Sequence, residues 1–108
     1  MEKKYRINKD GIKEVAVLVS GGFGAGWYTW GMGEKALFDP IIVEFVENNK
    51  NDSNELEEYL EKEYPDEYCG GLDGLYVEWV PEGSEFIIDE YDGSEHLSLK
   101  SNINWLIA

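Results

Sequence analysis

Apolar and polar positions follow two rhythms along this chain, and the rhythms change at identifiable residues. Residues 3–7 can form a short strand, and Asn8-Lys9-Asp10-Gly11 then marks a reversal, because glycine takes positive φ without a side-chain clash. Val15, Ala16, Val17, Leu18 and Val19 make an unbroken, β-branched apolar run. That run predicts a strand over 12–20 with both faces covered.

The rhythm becomes helical after Asp39-Pro40. Aspartate accepts from the first free amides of a helix, and proline at the first helical position gives up no intrahelical bond. Ile41, Ile42, Phe45 and Val46 keep helical spacing, which predicts a helix over about 40–48. Asn48-Asn49-Lys50-Asn51 breaks it. Asp52 with Glu55 three residues later reads as a capping box, and Leu56, Tyr59, Leu60 and Tyr64 share one face of a second helix over about 53–64. Pro65 stops that helix.

Beyond Gly70, Gly71 and Gly74 the period falls to two. Leu75, Val77 and Trp79 point one way, and Tyr76, Glu78 and Val80 the other. Pro81-Glu82-Gly83-Ser84 predicts a turn. Phe86 and Ile88 against Ile87 and Asp89 predict the next strand. Asp92-Gly93 reverses the chain, and Leu97 and Leu99 mark a third strand of a C-terminal meander. Ile103, Trp105 and Ile107 suggest a final strand or apolar tail. The expected fold is α+β: an antiparallel sheet, made of an N-terminal hairpin and the C-terminal meander, with the two helices on one face.

Composition narrows the class. A chain of 108 residues with 43% hydrophobic residues suits a single domain over 1–108 and has the means to build a core. It has no apolar run of about 20 residues, so no membrane span is expected. Residues 1–6 lack the apolar stretch of a signal peptide, and Cys69 has no second cysteine to bridge. A cytoplasmic location is therefore expected, with Cys69 as a packing residue or half-exposed thiol.

Charge changes the picture of partners. The formal net charge is −14, which repels phosphates, so neither nucleic acid nor an anionic membrane is an expected partner. Ten acids fall between Glu44 and Glu67, opposed there only by Lys50 and Lys62. The bases gather early, at Lys3, Lys4, Arg6, Lys9 and Lys13.

The segment GGFGAGWYTWGMG, 21–33, is the main candidate for chemistry. So many glycines in one place argue for special backbone geometry or close approach. The spacing is not the dinucleotide fingerprint, and no Lys-Ser/Thr pair follows, which excludes a P-loop. A nest of amides at Gly22, Gly24 and Gly26 remains a reading, with Phe23, Trp27, Tyr28 and Trp30 around a planar ring. The opposing reading is a glycine-hinged turn whose indoles fill the core. Asp89, Glu90, Asp92 and Glu95 lie within seven residues, but their spacing is not that of an EF-hand, and a hydrated hairpin tip explains them. His96 is the only histidine, and no sequence rule pairs it with Ser20, Ser94 or Ser98. No metal, cofactor or catalytic group is singled out, so binding is expected in place of catalysis.

The stretches GGFGAGWYTWG (21–31), LFDPIIVEFVE (37–47) and YCGGLDGLYVEWVPEGSEFIIDEYDGSE (68–95) resemble those of a family of small phage and prophage proteins. The similarity spans roughly residues 15–97. By analogy of context it implies an anti-defence factor, for example a sponge that sequesters a nucleotide-derived immune signal. On that reading Trp27 and Trp30 stack on a base, with Tyr28, Tyr91 and Phe23 beside them. Amides at Gly22, Gly24 and Gly26 meet phosphate. Asp92 or Glu95 accepts from ribose hydroxyls. Arg6 or a lysine near it, from the same or a second subunit of a homo-oligomer, supplies charge. Two other readings stay open: an acidic inhibitor or DNA mimic that occludes a host defence protein through the helix over 52–64, and a small hydrolase of signalling nucleotides.

Overall fold

A computed structural model describes residues 2–22, 26–67 and 69–100. Phe23, Gly24 and the expected strand at Ile103, Trp105 and Ile107 lie outside the described residues.

The apolar run becomes the central strand. β1 (Tyr5–Ile7), β2 (Lys13–Ser20) and β3 (Leu75–Pro81) form an antiparallel sheet in the order β1-β2-β3. The expected reversal joins β1 to β2: Asn8 Oδ1 accepts from the amides of Asp10 and Ile12, and Gly11 takes φ +79°. β4 (Phe86–Tyr91) and β5 (Ser94–Leu99) form a separate antiparallel hairpin. Asp92 and Gly93 both take positive φ at its turn, the geometry that matches strand twist in a two-residue loop.

Three helices complete the fold: α1 (Glu34–Phe38), α2 (Pro40–Glu47) and α3 (Asn54–Glu63). Asp39 caps α2 as its sequence position predicts, accepting from the amides of Ile41 at 2.9 Å and Ile42 at 3.4 Å. Its other oxygen accepts from the hydroxyls of Tyr59 at 2.7 Å and Tyr64 at 2.6 Å, which ties α2 to α3. The α3 cap differs from expectation. Ser53 replaces Asp52: its hydroxyl accepts from the Leu56 amide at 3.2 Å. Either residue type can cap, and the one adjacent to the first helical turn does so.

β2 is buried on both faces, and its two faces meet different layers. Ala16 and Leu18 join one core with Ile42, Val43 and Val46 of α2 and Leu56 and Leu60 of α3. Val15, Val17 and Val19 join a second core with Leu37, Phe38 and Val80, against which Phe86, Ile88, Leu97 and Leu99 of the hairpin pack. The α+β class and antiparallel pairing are as expected. The meander, however, is divided: β3 pairs with β2, while β4 and β5 pair with each other and pack on the second core as a separate layer. The cause lies in β2. A strand with apolar side chains on both faces requires cover on both, and α2 and α3 supply only one.

Candidate functional site

The hairpin's inner face changes character near its tip. Phe86, Ile88 and Glu90 alternate along β4, opposite Leu99, Leu97 and Glu95 of β5. The first pairs are apolar and pack on the core. The last pair is two carboxylates, and both engage the segment that follows β2.

Glu95 is the organising group. It is 1% exposed. Its Oε1 accepts from the Ser20 amide at 3.0 Å. Its Oε2 accepts from the Trp27 amide at 3.1 Å, the Thr29 amide at 2.8 Å and the Thr29 hydroxyl at 2.7 Å. A buried carboxylate is costly unless donors surround it, and here the chain's own donors do so. The result is a clamp that holds the end of β2 and the 3-10 turn Tyr28–Trp30 in one geometry. Ser94 adds a hydroxyl bond to the Gly21 carbonyl at 3.3 Å.

Glycine 26 permits this closeness. A Cβ there would lie 2.6 Å from Thr29 Oγ1 and 2.7 Å from Trp30 Cδ1. Gly74 serves the neighbouring seam, since a Cβ on it would meet the Gly22 backbone nitrogen at 2.8 Å. Within the 21–33 segment close approach accounts for Gly26 and Gly21, while Gly31 takes φ +124° with nothing near it.

The rings divide into two groups. Trp27 is fully buried, and its ring N–H donates to the Ala36 carbonyl at 3.3 Å. Trp30 and Tyr28 remain 41% and 40% exposed. The Trp30 ring N–H donates to Glu90 Oε2 at 2.8 Å, and the Gly93 amide donates to the same oxygen at 2.8 Å. The indole is therefore held by its edge.

These placements revise several expectations. The 21–31 segment and the hairpin do meet, at Glu95, Glu90 and Ser94. Trp27 and Glu95 are not open to a ligand, however; they and Gly26 form the foundation of the turn. Gly22 is partly exposed beside it. Tyr91, 75% exposed, and Asp92, at the turn, stand on or near the outer face, away from the carboxylates. Arg6 is elsewhere. It pairs with Glu14 at 2.8 Å and stacks on Trp79 at 4.4 Å. Glu14 is six residues from Ser20, so Arg6 sits roughly 20 Å along the strand from the clamp within one subunit. Asp89, Glu90, Asp92 and Glu95 do not converge: Asp89 faces outward opposite His96, while Glu90 and Glu95 face inward. Among the described residues no group of three or more metal-ligating side chains forms. Glu90 is the site residue that sequence reasoning passed over as a surface acid. Its strand parity with Glu95 was the available signal.

Four concavities among the described residues lie elsewhere. The largest of these four has a volume of about 690 Å³ and runs along β3, lined by Glu47, Asn49, Asn51, Asp52, Asp73 and Tyr76 among others. None of these four is lined by Trp27, Tyr28, Trp30 or Tyr91.

Comparison with protein-family models, curated proteins and solved structures finds no match.

Proposed function

We propose that this chain is a binding protein, not a catalyst, and that it takes a planar ring at the partly exposed Trp30 and Tyr28. One observation carries the reading: a buried carboxylate with four donors fixes the turn that presents those two rings. Rigid presentation lowers the ordering cost of binding. Trp30 is 41% exposed and Tyr28 40%, and stacking of a base on such a ring is worth ~1–3 kcal/mol where measured by substitution.

The ligand class follows from the resemblance to phage proteins: a nucleotide-derived immune signal, captured and not consumed. Arg6 lies too far from the clamp to serve its own subunit, so the phosphate charge is met by Arg6 of another copy in a homo-oligomer. The test is calorimetric titration of the purified protein with adenine nucleotides and cyclic dinucleotides. Binding of at least one, lost in Trp30→Ala and Tyr28→Ala and kept in Trp79→Phe, is expected, with the nucleotide recovered unchanged. Silence across the panel overturns the reading, and nucleotide returned as hydrolysis products replaces it with an enzyme.

A second reading draws on α3. Glu55, Glu57, Glu58 and Glu61 are all exposed on one helix, an anionic face suited to a basic surface of a host defence protein. Charge reversal at Glu57, Glu58 and Glu61 would weaken such a complex and leave nucleotide binding intact.

A further inference from the structure

The sheet has an open side at β3. In the antiparallel pairing of β2 with β3, the Gly21 amide donates to the Gly74 carbonyl and the Glu82 amide to the Lys13 carbonyl. Directly bonded pairs alternate along such a ladder. Tyr76, Glu78 and Val80 therefore turn their backbone groups toward β2, and Leu75, Val77 and Trp79 turn theirs outward. The Leu75 carbonyl is already taken, by the side-chain amide of Asn51 at 3.1 Å. Among the described residues nothing pairs with the outward amides and carbonyls of Val77 and Trp79. Both residues are half-buried, and Pro81 closes the edge because it lacks an N–H.

The Leu75–Val77 part of this strand is also a wall of the 690 Å³ cleft. The opposite wall is the C-terminal end of α2 and the loop after it, with Val46, Glu47, Asn49 and Asp52, and Asp73 closes one end. Its lining residues include no base, and Lys4 pairs with Glu47 at its rim. The carbonyl end of α2 adds negative potential to the carboxylates of Asp52 and Asp73. Glu78, on the adjoining face of β3, adds a third.

We infer that the open edge of β3 is a docking site for an extended basic peptide, which adds a fourth strand to the sheet. The backbone of Val77 and Trp79 supplies the ladder bonds, and period-two alternation sends every second side chain of the peptide into the cleft. Lysine or arginine at those positions meets Asp52 and Asp73, while apolar residues between them cover the other face beside Tyr76. The charge on the walls selects a basic occupant, because Asp52 and Asp73 face it. The site is independent of the ring-binding turn.

The test uses the full chain and a fluorescent peptide of alternating valine and lysine, eight residues long, followed by anisotropy. Binding is expected, with the Val77 and Trp79 amides gaining protection from hydrogen exchange. The double variant Asp52→Lys with Asp73→Lys should weaken it at least about tenfold, and Glu57→Lys with Glu58→Lys on α3 should change it far less. A peptide N-methylated at alternate amides keeps its charge and loses ladder bonds, so it should bind at least about tenfold more weakly on one of its two edges. Equal losses from the two charge reversals, indifference to N-methylation, or unprotected Val77 and Trp79 amides would each overturn the proposal, leaving non-specific attraction to an anionic protein.

Discussion

Glu95 and Thr29 are 66 residues apart in sequence, yet one carboxylate oxygen of Glu95 accepts from both the amide and the hydroxyl of Thr29, at 2.8 and 2.7 Å. These two hydrogen bonds fix the Tyr28–Trp30 turn against the hairpin. The same carboxylate also joins the two layers of the fold, since Glu95 lies on the hairpin and its remaining donors come from the end of β2 and from Trp27.

Removing that acceptor should be expensive. Glu95→Ala would remove the acceptor shared by the amides of Ser20, Trp27 and Thr29, a loss of ~3–5 kcal/mol. Glu95→Gln keeps the shape but points an NH2 at donors, and should cost ~1–3 kcal/mol. Urea unfolding curves measure both. Equal stability to the parent would show that the clamp contributes nothing.

Gly26→Ala should act on the same turn from the other side. Its Cβ would collide with Thr29 Oγ1 and the Trp30 ring, both already held by carboxylates. The expected loss is ~1–3 kcal/mol, with a shift in tryptophan emission as Trp30 leaves Glu90. At Gly22, where a Cβ meets nothing within 4 Å, the same substitution should be milder.

Asp39, Tyr59 and Tyr64 give an alkaline signature. Burial first, then the hydrogen bond to Asp39, pushes both phenols well above their ordinary value of 10.0. The unfolded tyrosines lose their protons near pH 10 while the folded ones keep theirs. The stability linked to these phenols is therefore complete below about pH 10 and declines as pH rises beyond it. Tyr59→Phe and Tyr64→Phe should each cost about 1.5 kcal/mol at pH 7, and together they should flatten the alkaline decline. Denaturation at pH 7 and pH 10.5 checks the sign.

Cys69 should react slowly. Burial, and then the charge of Glu67, raises its thiol pKa above the ordinary value, so little thiolate is present at neutral pH. The rate of alkylation by iodoacetamide against pH should show a midpoint above that of free cysteine. A midpoint below it would reveal a cation near the sulfur.

Local signals in the sequence were sufficient for much of the fold. Asp39-Pro40 started α2, Pro65 followed α3, and the Asp-Gly pairs reversed the chain at 10–11 and 92–93, because each of these effects acts over a few bonds. The doubly apolar run of β2 announced that both its faces would be covered. It did not say by what. Whether β3 pairs with β2 or β4 depends on contacts between residues some 60 positions apart, and the turn at 81–84 serves either choice. The roles of the rings and acids were equally non-local. Trp27 and Trp30 are three residues apart with the same side chain, and only the position of α1 and of the hairpin makes one a core residue and the other a surface ring. Glu90 and Glu95 look like any solvated acids in a chain this anionic. Tertiary structure decided their part, because a carboxylate becomes a clamp only when folding brings buried donors around it.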